Sequence, residues 1–186
     1  KLAGLSPAFV KPFGTVTAGN SSALTDGASA SLITSHAYAE AEGFTPRAAL
    51  REYTYVAQDP GAELLLGPAY AIPQVLDAAD MTLGDIDVVE LHEAFAGQVL
   101  AVLEALASDR FAEEHLNRSD PVGRVDMDIL NTRGGSVSLG HPFGATGVRL
   151  VTTAVNRLYE EDGQWALVSA CAAGGQGHAL LIERLD

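Results

Sequence analysis

Apolar positions along this chain recur in two rhythms, and together they predict alternating helices and strands. Val148, Val151, Val155 and Leu158 fall at i, i+3, i+7 and i+10, the spacing of one buried helix face. Phe95, Val99, Val102 and Leu106 trace a second stripe of the same kind. Ala48–Ala57 instead alternates as a strand does and stops at the turn Asp59-Pro60-Gly61. Short apolar runs at Ile86–Leu91, Trp165–Cys171 and His178–Leu185 predict three further strands, and Ala28–Thr34, small and apolar, predicts a buried one. His36–Glu42 carries the ends of a short helix, with Ser35 to cap it and Gly43 to close it. Another helix is expected to open at Ile72-Pro73 and run to about Ala79, with Gly67-Pro68 before it as loop. Lys1–Thr17 reads as an irregular connection, and Asp109–Val125, polar and without period, as a surface excursion. The alternation places the chain in the α/β class.

Composition narrows the function more than the fold. With 186 residues, 47% of them apolar, the chain can bury a sizeable core. A formal charge of −13 and only two lysines, Lys1 and Lys11, argue against nucleic acid and anionic membrane surfaces as partners. Cys171 is the one cysteine, so no internal disulfide forms, and the five histidines show no zinc-ligand spacing. No apolar run approaches the ~18 residues of a membrane span, and no signal-peptide pattern opens the chain. Because it starts at Lys1 rather than at a methionine, it reads as part of a longer protein.

Three places concentrate chemistry. The stretch GGSVSLGHPFGATGVR, Gly134–Arg149, sets five glycines around His141-Pro142 and leads into a helix. Glycines let backbone approach a ligand, and a helix start favours negative charge, so this is either a site built by main chain or a tight loop with a capping histidine. His92-Glu93 stands where a strand hands over to a helix, the end of an open α/β sheet at which ligands bind, although His92 as a simple helix cap fits equally. Cys171 ends a strand beside Ala172-Ala173-Gly174-Gly175-Gln176-Gly177, and is either a small core residue or an active thiol. Ser21 and Ser22 fit local capping. The nucleophile elbow, the P-loop, the dinucleotide fingerprint and the zincin helix are all missing.

HEAFAGQ (from His92), GGSVSLGHPFGATG (from Gly134) and CAAGGQG (from Cys171), in that order, closely resemble the three C-terminal signatures of thiolases. TAGNSSALTDGASA, from Thr17, resembles the stretch that precedes the C-terminal half of that family. HEAF with CAAGGQG is similar to the branch that holds the β subunit of the fatty-acid trifunctional complex, most thiolases having asparagine in place of His92. The resemblance implies a layered αβαβα fold, of which residues 1–45 end the N-terminal half and residues 46–186 form the C-terminal domain. It implies thiolytic cleavage of 3-ketoacyl-CoA to acetyl-CoA and a shortened acyl-CoA, in β-oxidation.

The same resemblance assigns roles to residues. Cys171 matches the acid/base cysteine, whose thiol is expected to have its pKa lowered by neighbouring donors. His141 matches the histidine that activates the nucleophile and helps hold the thioester oxygen. His92 stands where the asparagine completes that oxyanion hole through a water, and Ala173 where a backbone N–H serves the second one. Ala18 and Ser22 match positions that touch pantetheine, and Phe95 one that lines the acyl pocket. The family's nucleophilic cysteine belongs to the N-terminal half and has no counterpart here, so this chain alone is expected to be inactive. CoA thioesters are then substrates, with no cofactor or metal. A homodimer or higher oligomer is implied, with a hydratase/dehydrogenase subunit compatible as partner, in the cytoplasm or an organellar matrix. The other reading is a non-catalytic acyl-CoA-binding or interaction module on the same fold.

Overall fold

Four strands form one mixed sheet in a computed structural model that describes every residue from Lys1 to Asp186. They are β1 (Ala48–Ala57), β2 (Val88–Leu91), β3 (Trp165–Ala172) and β4 (Gln176–Arg184), in the order β1-β4-β3-β2. β2 runs parallel to β3, and the β1/β4 and β3/β4 pairs are antiparallel. Seven α-helices accompany them. α1 is His36–Glu42, α2 Pro60–Glu63 and α3 Gly67–Ala78, while α4 (Ala96–Leu106), α5 (Asp109–Leu116), α6 (Ser136–Leu139) and α7 (Thr146–Glu160) lie in the connection from β2 to β3.

Strand alternation divides the core into two layers of contact. On one face Val89, Leu91, Leu167, Ala179 and Leu181 pack with Ile72, Val75 and Leu76 of α3 and Val99, Val102 and Leu106 of α4. On the other face Val88, Ala166, Val168 and Ile182 pack with Leu150, Ala154 and Leu158 of α7. The result is an α/β/α sandwich with β2 buried along its whole length. The same alternation sends Glu90 to the α7 side, where its fully buried carboxylate meets the equally buried Arg157 at 2.9 Å.

The caps follow the sequence closely. Ser35 Oγ accepts from the Tyr38 amide, and Gly43 closes α1 at φ +70°. β1 has the expected bounds, and Asp59, at its end, caps α2 through the Gly61 amide.

Four expectations need correction. α7 forms as expected, but its buried face is Leu150, Ala154 and Leu158. Val151 and Val155 pack on the shoulder of that face and Val148 lies outside it. α3 begins at Gly67, not at Ile72, because the proline of its first turn is Pro68; Pro73 sits inside a helix held by the buried Ile72, Val75 and Leu76. Asp109–Leu116 is a helix, capped by Ser108 and anchored by Phe111 and Ala112, within what reads as excursion. Ala28–Thr34 forms no strand. It pairs with neither sheet edge, and Leu32 and Ile33 stay 73% and 74% exposed. A small apolar run becomes a strand only where a neighbouring strand accepts its backbone.

Candidate active site

Both histidine-bearing motifs arrive at the carboxyl end of β2 and β3. Leu91 pairs with Ser169, and the next amide, His92 N–H, donates to the Ser169 carbonyl at 2.9 Å. His92 thus leaves the strand still tied to β3, with its ring on the α7 side and 3% exposed. His141 comes from the loop between α6 and α7, and the two imidazole centroids lie 4.2 Å apart. Cys171 sits two residues beyond Ser169 on β3, at the same sheet end, buried and free. No hydrogen bond joins its thiol to either imidazole.

The His141 loop is fastened from both sides. Its main-chain N–H donates to Ala23 O at 2.8 Å, and its Nδ1 lies 2.7 Å from Thr146 Oγ1 in the first turn of α7. Thr146 gives its hydroxyl proton to Pro142 O at 3.1 Å. The hydroxyl therefore accepts from His141 Nδ1–H, which leaves Nε2 with a free lone pair, the form a base requires.

Glu93 holds the glycine turn ahead of that loop. One carboxylate oxygen accepts from the Asn131 amide at 2.7 Å, the other from the Val137 main-chain N–H at 3.0 Å. Asn131 also exchanges two 2.8 Å bonds with the Leu91 main chain, so β2 and the turn are stitched together. A Cβ added at Gly135 would stand 2.0 Å from the Glu93 carboxyl carbon. Gly135→Ala is accordingly expected to cost about 1–3 kcal/mol through overpacking. In a Glu93→Ala background the same change should cost far less, and a double-mutant cycle on thermal unfolding measures the difference.

The leading segment from Phe9 to Ser29 reaches this sheet end. Ser22 N–H donates to Ala94 O at 2.9 Å, and Ser21 bridges Phe95. Phe95, the N-cap of α4, meets Phe9 edge-on at 6.0 Å, and Ser29 Oγ donates to Ala145 O at 2.6 Å. Ala18 opens an exposed turn of 3₁₀ helix four residues before Ser22. Ala173 lies in the turn after Cys171, where its N–H has no main-chain acceptor. Gly175, in the same turn at φ +74°, comes so close to Gln58 O that a Cβ would stand 2.4 Å from it.

Burial shapes the acid–base character of the cluster. The thiol of Cys171 is pushed up to about 11, the reverse of the lowering expected from its motif, because desolvation outweighs its own backbone donor. His92 is held down at about 4, first by burial and then by the charges of His141, Arg149 and His178. Burial also lowers His141, helped by Arg149, and lowers His178 on β4. Each imidazole is protonated more readily in the unfolded chain than in the folded one. The stability gained by keeping them neutral is thus complete above pH ~6.5 and drains away as pH falls toward 4, His92 alone accounting for about 3 kcal/mol. Thermal unfolding between pH 7.5 and 4.5 should show this decline, and His92→Gln should flatten it.

Residues 44–184 match the family model of the thiolase C-terminal domain, and residues 1–37 that of the thiolase N-terminal domain. The chain belongs to the thiolase family. A probable 3-ketoacyl-CoA thiolase of Caenorhabditis elegans is 63% identical over 183 residues, which cover 98% of this chain and 41% of that protein. The mitochondrial trifunctional enzyme subunit beta of Homo sapiens is 58% identical, over 98% of this thiolase chain and 39% of its own length. Among solved structures, human mitochondrial 3-ketoacyl-CoA thiolase in complex with CoA superposes with a TM-score of 0.80 at 34% identity, covering 99% of this chain and 42% of that one. The dimeric peroxisomal thiolase of Saccharomyces cerevisiae does so with a TM-score of 0.80 at 31% identity, over 99% of this chain and 42% of its own. The chain therefore spans about two-fifths of the length of the curated relatives it matches.

Several residues that build the site escaped the motif reading of this thiolase. Ser136 and Thr146 lie inside the glycine-rich stretch but carry no assignment there, and Asn131 and His178 fall outside every motif assignment. Glu90 did leave a signal. A carboxylate in an otherwise apolar strand calls for a buried partner, and Arg157 supplies it from the sheet-facing side of the amphipathic α7.

Proposed function

We propose that this chain is the C-terminal catalytic portion of a 3-ketoacyl-CoA thiolase of fatty-acid β-oxidation, with residues 1–45 ending the N-terminal half and residues 46–186 forming the C-terminal domain. The observation that carries the reading is the contact of His92 and His141, from two separate motifs, at the sheet end that also holds Cys171.

The chemistry follows from the groups present. A nucleophilic cysteine from residues outside this chain gives its proton to His141 Nε2 and attacks the 3-keto carbon. The bond between C2 and C3 breaks, leaving an acyl-cysteine and the enolate of acetyl-CoA. Cys171, a protonated thiol at neutral pH, gives its proton to the enolate carbon. Its thiolate then takes the proton of an incoming CoA thiol, whose sulfur attacks the acyl carbon and displaces the nucleophile's sulfur, which takes back the proton held on His141 Nε2. Charge gathers on thioester oxygens in both steps. Imidazole donors at His141 and His92 serve one of them and the Ala173 N–H the other. Ser22, Ala18 and Phe95 line the approach of the pantetheine and acyl groups.

CoA and acyl-CoA are the substrates of this scheme, which calls for no cofactor or metal. The trifunctional relatives support a hydratase/dehydrogenase partner and an organellar matrix rather than the cytoplasm, and the dimeric thiolase supports a homo-oligomer. No helix is long and apolar enough to cross a membrane. Thiolysis of a 3-ketoacyl-CoA by the complete protein, followed as CoA-dependent loss of substrate, tests the reading. His141→Ala should depress both acylation and enolate chemistry. Unimpaired turnover in that variant would remove His141 from the mechanism.

A further inference from the structure

We infer that Ser136 and Arg149 are positioning residues that lock His92 in its Nε2–H tautomer, so that it stands as a neutral hydrogen-bond donor beside the basic His141. The inference deepens the thiolase reading and rests on it for its catalytic meaning.

Ser136 is fully buried at the start of α6, and its Oγ lies 2.9 Å from His92 Nδ1. Arg149 Nη2, from the first turn of α7, donates to the same Oγ at 3.4 Å. Arginine can only donate, so Ser136 must accept there. The Ser136 hydroxyl has no other acceptor, so its own proton goes to His92 Nδ1 and the ring proton of a neutral His92 resides on Nε2. At His141 the order is reversed. Thr146 spends its proton on Pro142 O and accepts from Nδ1–H. Two imidazoles 4.2 Å apart therefore carry opposite tautomers, one offering a lone pair at Nε2 and the other a proton.

Arg149 is placed for this purpose rather than for stability. Its Nε and Nη1 are buried with no partner, an arrangement that costs free energy. Its natural counter-ion nearby, Glu90, already gives one carboxylate oxygen to Arg157 at 2.9 Å, and no ion pair joins it to Arg149. The guanidinium charge acts on the Glu90 carboxylate at longer range and on the two histidines, where it opposes the imidazolium form of both. The other charged or titratable groups around His92 are His141 on its loop, His178 on β4, Glu90 and Glu93 on its own segment, and Arg157 on α7. A neutral His92 with Nε2–H outward can donate to a thioester oxygen, or to a water on it, without competing for the proton His141 must take.

Ring ¹⁵N NMR of the histidine-labelled complete protein tests this, with His92 assigned from a His92→Gln variant. The wild type should show His92 with an unprotonated Nδ1 and a protonated Nε2 from pH 8 to pH 5. Ser136→Ala should mix the tautomers and lower kcat about tenfold with little change in KM, as expected when a donor is retained but no longer aimed. Arg149→Met should raise the pH at which His92 titrates, and Arg149→Lys, which keeps the charge, should restore it. A wild-type His92 protonated on Nδ1, or spectra unchanged in both Ser136→Ala and Arg149→Met, would overturn the inference. If the tautomers are as stated but the complete protein performs no thiolysis, the proposed function fails while the positioning of His92 by Ser136 and Arg149 stands.

Discussion

Cys171→Ala in the complete enzyme is expected to abolish exchange of solvent hydrogen at the methyl carbon of acetyl-CoA while acylation of the nucleophile continues. In the proposed scheme the thiol moves that proton, and no other titratable side chain stands in the turn that follows it. Loss of a positioned acid/base lowers its step by on the order of 10²–10⁴. Deuterium incorporation into acetyl-CoA, set beside the burst of acyl-enzyme formed from a 3-ketoacyl-CoA, separates the two half-reactions. Equal loss in both would show that Cys171 is not a dedicated proton carrier. Cys171→Ser should behave nearly as Cys171→Ala, since a hydroxyl holds its proton far more tightly than a thiol.

A polypeptide confined to Lys1–Asp186 should show no thiolysis and should associate with itself. Covalent catalysis needs a nucleophile within reach of its base, and the only cysteine of the chain is the one the proposed scheme assigns to proton transfer. The surface explains the association. Leu24, Leu32 and Ile33 of the leading segment are exposed, and so are Leu50, Tyr53 and Tyr55 on one face of the edge strand β1. Apolar residues grouped on an edge strand and an unpaired extended segment invite intermolecular pairing. Adding the preceding residues of the protein, in one chain or in trans, should restore solubility and turnover together. Size-exclusion chromatography and the thiolysis assay read both. A monomeric, active Lys1–Asp186 would sink the proposal that the nucleophile lies elsewhere.

What could be read from the sequence was what local chemistry decides. Ser35 and Gly43 fix α1 through bonds within one turn, and β1 alternates from Glu52 onward, after a register shift between Leu50 and Glu52 that the sequence pattern does not show. Ala28–Thr34 looked like a strand because composition alone suits one, yet strand formation depends on a neighbour that may lie anywhere in the fold. α5 was overlooked for the opposite reason: it is mostly polar, and only Phe111 and Ala112 show which side it buries. At the site, His92 and His141 were legible because each is embedded in a distinctive run. Their tautomers were not, since these hang on Ser136, Thr146 and Arg149, whose roles arise from where α6 and α7 come to rest. The ionisation of Cys171 differs from the expectation because neighbouring donors were expected to lower it, whereas the packed sheet end buries the thiol and desolvation outweighs its backbone donor.

That burial has a practical corollary for chemical labelling. With its pKa near 11, Cys171 exists as thiolate in only about one molecule in ten thousand at pH 7, against a few per cent for an ordinary cysteine. An electrophilic probe offered to the protein at neutral pH should pass Cys171 by and report on other thiols first. Covalent inhibitors aimed at this site will find their warhead discriminating by basicity, and raising the pH toward 10 should bring Cys171 into the labelled set.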